Sequence, residues 1–284
     1  MKPILTYTFG LGGGTLFQIA NRSRTQMMSY IIDCPGGGTI VIDGGMYCDE
    51  DASHLYSELS KRGKRVDLWF LTHCHIDHYG AFLRLAERAD FDIAIGKLCF
   101  HFPSREWLMT KEDSARSAQL FSLLDRTELP IVTPHSGDCF TCGGISVEVL
   151  NEPQHYENYR SINPTGLILK AHFPKRDVLF LGDFDVDAEE DYKAHFSVEK
   201  LRCDIVQMAH HGQGGVSRDF YNLIAPKFCL YTAPEWLWEN RKGSRGTVET
   251  AGEGPFQTLE TRRWMAEMRV IRSFHMGDGD WCFL

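Results

Sequence analysis

The sequence predicts an α/β protein in which helices cover mixed β-sheets. Three observations predict it: strand-length apolar runs, segments of helical period alternating with them, and glycine-rich turns that suggest hairpins near both ends. ILTYTF and SYIIDCPGGGTIVIDGG read as strands, with Gly36, Gly37 and Gly38 as a hairpin turn. GLGGGTLF holds no complete GxGxxG leading into a helix, and a glycine-rich hairpin accounts for it. SHLYSELSKRG has helical spacing, VDLWFLT is a near-continuous apolar strand, and GAFLRLAERAD puts Phe82, Leu83 and Leu85 on one side of a helix. Residues 97–134 read as a helical, peripheral insertion. From Ile145 onward strands dominate: ISVEVL, TGLILKAHF, DVLFLGD, CDIVQMAH and KFCLYTA. A last helix in PFQTLETRRWMAEM precedes the strands RVIRSFH and DWCFL, divided by the turn residues Gly277, Asp278 and Gly279. No linker-like stretch interrupts the chain, so residues 1–284 are expected to form one domain.

Composition narrows the function. At 284 residues the chain can bury a substantial core, and 43% hydrophobic with 24% charged residues excludes disorder. MKPILTYTFG has no charged-then-apolar signal pattern, and no run approaches the roughly 20 apolar residues of a membrane span. Nine scattered cysteines, an odd number, read as reduced thiols of a cytoplasmic protein. A net charge of −8 argues against a broad nucleic-acid surface. Cys139 and Cys142 form a lone CxxC with no second pair, for which a structural or surface role is expected rather than zinc.

LWFLTHCHIDHYGAF is the richest stretch. It places His73, His75, Asp77 and His78 within six residues at the end of an apolar strand. His73 and His75, two apart, leave the same face of extended backbone. Asp77 and His78 follow at the entrance to the next helix, where the chain turns and can aim them at an adjoining point. Imidazole and carboxylate suit zinc first, with manganese or iron as alternatives. A solvated loop or helix-capping histidines would explain one such residue, not four in this arrangement. DVLFLGDFD ends an apolar strand in Gly182 and Asp183, a carboxylate able to bridge two cations beside a small residue. CDIVQMAHHGQGG ends another strand in His210 and His211.

THCHIDH, then LGD, then AHHG, resembles the metallo-β-lactamase-fold hydrolases, over most of the chain. The HHG form is similar to the soluble hydrolase domain of competence DNA-uptake proteins and to phosphorylcholine esterases. The resemblance implies a four-layer αββα sandwich of two mixed β-sheets with a site for two divalent metal ions at one edge. His73 and His75 would hold one metal, Asp77 and His78 the other, Asp183 would bridge them, and one of His210 and His211 would complete the second site. In the commoner GHG version the ligand immediately precedes the glycine, which favours His211 as ligand and leaves His210 facing substrate.

There are departures from the family pattern. Where a GHTPG-like element usually supplies a third histidine to the first metal, this chain reads SINPTGLIL, with Asn163 in that place. His155 is near enough in sequence to be an auxiliary ligand. Relatives with HHG often carry His-Pro before the final helix; here the pair is Gly254-Pro255, and His275 is a candidate to act instead. A diiron oxidoreductase branch has Glu as the second residue of the HxH pair, and His75 speaks against it.

The expected chemistry is hydrolysis by a metal-bound hydroxide shared between two cations, oriented by Asp77, with His210 or His275 protonating the leaving group or holding an oxyanion. A phosphodiester or phosphate ester is the favoured substrate, because HHG would add a positive donor. A lactone or thioester hydrolase is the alternative, and a metal-binding sensor or partner module with little catalysis a third. Trp236 and Trp238 beside Arg241, Lys242 and Arg245 could form a loop closing over substrate, or a surface loop with partly buried rings.

Overall fold

The computed structural model describes residues 2–242 and 250–284; Arg245 lies outside them. The chain opens with β1 (Ile4–Tyr7), β2 (Thr15–Gln18), β3 (Tyr30–Asp33), β4 (Thr39–Ile42) and helix α1 (Asp49–Ser60). β5 (Arg65–Val66) and β6 (Leu68–Phe70) lead into α2 (Ile76–Ala86). Then come β7 (Ala94–Ile95), β8 (Leu98–Cys99), α3 (Arg105–Leu108), α4 (Ser114–Leu124) and β9 (Ile131–Val132). The second half holds β10 (Cys139–Cys142), β11 (Ile145–Val149), β12 (Leu169–His172), β13 (Asp177–Phe180), α5 (Glu189–His195), β14 (Ile205–Gln207) and α6 (Arg218–Ile224). It closes with β15 (Phe228–Tyr231), α7 (Glu235–Trp238), α8 (Thr258–Glu267), β16 (Arg272–His275) and β17 (Asp280–Phe283).

These strands make two mixed sheets, in the orders β1-β17-β2-β3-β4-β6-β8-β9 and β10-β11-β12-β13-β14-β15-β16, plus a small β5–β7 pair. The apolar runs follow from burial on both faces. In β3, β4 and β6, Ile32, Ile40 and Phe70 face the space between the sheets, while Ile31, Val41 and Trp69 pack with Leu55 of α1 and Phe82 of α2. In β13, β14 and β15, Phe180, Ile205 and Leu230 enter the same central core. Leu179, Val206 and Cys229 turn outward to Tyr192 of α5, Phe220 of α6 and Met265 of α8. Helix, sheet, sheet and helix stack as four layers, the αββα sandwich.

Three expectations are corrected. Residues 97–134 are helical only in their middle, since β8 and β9 extend the first sheet, and α4 buries Leu120 and Leu124 against the core behind α2. The turn 277–279 makes no hairpin: β16 ends the second sheet and β17 lies in the first, so the turn carries the chain between layers. β17 also inserts between β1 and β2, which therefore do not pair with each other across the glycine-rich turn. Cys139 and Cys142 sit three apart on β10, an odd spacing that sends their side chains to opposite faces and explains why they form no chelate. All nine cysteines are free thiols, and no helix among the described residues is long and apolar enough to cross a membrane.

Candidate metal centre

The centre lies where the C-terminal ends of β6, β13 and β14 meet, and each side chain arrives there for a local reason. After β6 the backbone bends at His73 and Cys74, rather than running extended, and His75 caps α2 at φ −108° and ψ 146°, so the two rings converge across the bend. Their Nε2 and Nδ1 atoms are 3.1 Å apart. The first turn of α2 then presents Asp77 and His78. β13 delivers Asp183 through Gly182, at φ +55°, where a Cβ would stand 3.0 Å from the Thr72 hydroxyl. Beyond β14 the chain turns sharply at His210 (φ 48°), His211 (φ 56°) and Gly212 (φ 82°). Two consecutive non-glycine residues in the left-handed region are a strained backbone of the kind found at functional sites.

Two groups of ligand atoms result, each within 4.8 Å. Asp77, His78, Asp183 and His211 form one, and His73, His75 and Asp183 the other. Asp183 belongs to both. His211 is fully buried, with Nε2 3.2 Å from Asp77 and 3.4 Å from Asp183, and Nδ1 paired with Thr232 at 2.9 Å. His210 keeps about a third of its side chain exposed, 3.8 Å from Asp183. The two histidines thus take different positions, one inside the cluster and one on its open side.

The donors fit cations. His78 Nε2 and Asp183 Oδ1 are buried and 3.1 Å apart, yet neither has a hydrogen-bond partner. Asn163 Oδ1 is also buried without a partner, while its Nδ2 lies 3.5 Å from His210 Nε2. A cation satisfies such atoms; a hydrogen-bond network does not reach them. Electrostatics agree. Burial opposes charge on His78 and His211, but the carboxylates of Asp183 and Asp43 raise His78 well above its usual range, and Asp183 with Asp77 pushes His211 up to about 9. Burial likewise opposes charge on Asp77 and Asp183, and the facing histidines outweigh it and hold both below the usual carboxylate range. Burial dominates at His73 and His210, which are lowered and stay neutral.

Three contributors lie outside the motifs read from the sequence. Asp43, buried at φ +60°, accepts from His78 Nδ1 at 2.7 Å and from the Thr72 amide and hydroxyl at 2.7 and 2.8 Å. Glu112, in the loop between α3 and α4, accepts from His75 Nε2 at 3.1 Å and from the Ile162 amide at 3.0 Å. Thr232 anchors His211. Carboxylates behind metal-binding histidines fix the tautomer and raise ligand basicity. The only sequence signal for any of them is Asp43 before Gly44-Gly45 at a strand end.

Two candidates are not brought to the cluster. His155 is exposed and stands with Asp191 and His195 instead, because its turn points away at φ +47°. His275, at the end of β16, is stacked on Trp238 at 4.3 Å and paired with Asp278 at 3.1 Å. Gly254 has no room for any side chain: a Cβ would collide with Asn240 Oδ1 and stand 2.6 Å from the Arg241 carbonyl oxygen. Trp238 lies under Arg262 and against Tyr231, and Trp236 is tied to the Arg24 carbonyl, so both rings are packed rather than poised over a cleft.

Residues 23–202, more than half of the chain, match the family model of the metallo-beta-lactamase superfamily. The chain belongs to that superfamily. That superfamily is one of dinuclear-metal hydrolases and oxygenases whose members bind two divalent ions. Among solved structures, CmlA, a diiron beta-hydroxylase from Streptomyces venezuelae, is similar with a TM-score of 0.58 and 13% identity over 93% of this chain and 52% of its own. The metallo-beta-lactamase fold protein YhfI from Bacillus subtilis is similar with a TM-score of 0.53 and 10% identity, over 92% of this chain and 95% of its own. This chain spans about half the length of the hydroxylase and nearly all that of YhfI. At such identities the likeness shows the fold. No curated protein matches the chain.

Proposed function

We propose that the protein is a cytoplasmic dinuclear hydrolase, with zinc as the first choice of metal, acting on a phosphodiester or related phosphate ester. The observation that carries this reading is His210, a histidine outside both ligand groups that faces an open cleft beside Asp183. The cleft, about 650 Å³, is lined by Asp185, Asp187, Gln213, Pro255, Phe256 and Gln257 among others. Asp77, His78, Asp183 and His211 would hold one divalent cation and His73, His75 and Asp183 a second, and bound there they would supply Lewis acidity and an acidified water. Asp77 would orient an attacking water by accepting a hydrogen bond from it. His210 Nε2 donates to a phosphoryl or leaving-group oxygen. Because burial lowers His210, its contribution is a neutral N–H donor rather than the extra positive charge first expected. No Lys or Arg is among the described residues lining the cleft, which supports a singly charged diester over a doubly charged monoester. The HHG resemblance supports the same class.

The acidic lining is also the observation that favours the second reading, a neutral lactone or thioester. A substrate panel decides between them: protein reconstituted with zinc, manganese or iron, assayed on bis(p-nitrophenyl) phosphate, a phosphorylcholine ester, a chromogenic lactone and a thioester. Turnover of phosphate diesters is expected. Turnover of the carbonyl substrates with none of any phosphate ester overturns the reading.

A further inference from the structure

A second cluster of ligating side chains sits on the rim that carries the dinuclear centre. β8 runs parallel to β6 and β9 parallel to β8. β11 and β13 are both antiparallel to β12, so they run the same way. The C-terminal ends of β8, β9 and β11 therefore open on the edge where β6 presents His73 and β13 presents Asp183. The chain leaves β8 through His101, β9 through His135 and β11 through Glu152. One nitrogen of each ring and one oxygen of Glu152 lie within 4.8 Å of one another.

We propose that His101, His135 and Glu152 form a third, mononuclear site for a divalent cation of the zinc class. Two imidazoles and a carboxylate are a recognised zinc donor set that leaves a fourth position open, whereas magnesium and calcium prefer oxygen alone. Both rings address the same oxygen of Glu152, His135 Nδ1 at 2.7 Å and His101 Nδ1 at 3.7 Å. In the metal-free ring His101 Nδ1 donates its N–H to the Pro134 carbonyl at 3.0 Å, so that nitrogen gives up its proton and this bond when it turns to an ion beside Glu152. The rings stand edge to face with centroids 5.0 Å apart. A surface hydrogen bond between His135 and Glu152 would account for two of these residues. It does not account for a second ring, from another strand end, placed near the same carboxylate oxygen supplied by the opposite sheet. His135 is largely exposed and the other two are partly so, which gives an ion access and leaves its open position to water or an anion. Such a site binds more weakly than the buried pair.

Calorimetric titration of the full chain with zinc, with elemental analysis in parallel, tests this. The parent is expected to bind one equivalent beyond the dinuclear pair, and His101→Ala/Glu152→Gln to lose that equivalent alone while hydrolysis stays at the parental rate. His135→Ala removes a largely exposed ring with little risk to folding and is expected to show the same loss. Equal zinc stoichiometry in the parent and all three-site variants overturns the proposal. So does loss of the extra equivalent in His155→Ala/His195→Ala, which would move it to the cluster on α5. Because the readout is a difference of one equivalent, it stands apart from whether the dinuclear centre hydrolyses phosphate esters.

Discussion

Single side chains at the centre do separable work, and His75 shows how. Its Nδ1 turns to His73 while its Nε2 donates to Glu112, a residue that also holds the backbone at Ile162, next to Asn163. Glu112 thus ties the HxH pair to the loop in which the family's third histidine is missing. Glu112→Gln is expected to weaken the ion held by His73 and His75 by about 10–100-fold and to leave its neighbour nearly unchanged, as two-phase titration of metal-free protein would reveal. Asn163 offers a buried amide oxygen where an imidazole would bind more strongly. Asn163→His is expected to tighten that same weaker phase; no change would mean that another group already completes the site. The His pair divides differently. His211→Ala is expected to lose metal and activity together, whereas His210→Ala keeps both ions and loses about 10²–10³-fold in kcat with its N–H donor. Parallel assays of metal content and turnover separate the two, and full turnover in both variants would remove the pair from the mechanism.

At the scale of elements, the loop after β4 is fastened to the first turn of α2. The amides of Gly44 and Gly45 both donate to the His78 carbonyl, and the Ala81 amide donates to Gly45. This brings Asp43 onto His78. The approach depends on Gly80, where a Cβ would collide with the Tyr47 amide and stand 2.9 Å from the Met46 carbonyl carbon. Gly80→Ala is expected to cost about 1–3 kcal/mol by overpacking and to weaken binding of the ion at His78, measured as a lower Tm and a shifted titration. This element also marks what could be read beforehand. HxHxDH, GD and HHG were visible because metal donors are few in kind and their spacing on a strand end or helix start is fixed. Asp43, Glu112 and Thr232 were not, because an ordinary Asp, Glu or Thr gains its role only when a distant segment folds onto it. The sheet assignments failed where pairing is non-local: nothing in DWCFL says that it leaves β16 for the other sheet. His155 and His275 illustrate the converse, being near in sequence or of the right type but placed elsewhere by backbone turn and stacking.

Across the whole molecule, the centre couples metal uptake to protons and to the stability of the two-sheet sandwich. His211 has a folded-state pKa of about 9 against an ordinary 6.5, and His78 is raised as well. A raised pKa stabilises the metal-free fold fully below pH 6.5, and that contribution is lost as pH rises through about 9. Asp77 and Asp183, held low, contribute above the usual carboxylate range and lose their contribution only in acid. The metal-free protein should therefore lose Tm between pH 7 and 10. With ions bound, His78 and His211 must give up their protons to serve as ligands, so the loaded protein gains rather than loses as protons become scarce. The two Tm curves are expected to diverge as pH rises, and zinc binding in weak buffer near pH 7 to release up to two protons per chain, fewer above pH 9. A metal-free Tm that stays flat over that range, together with zinc uptake that releases no proton, would mean that His78 and His211 are already neutral and that the carboxylates are balanced by other means.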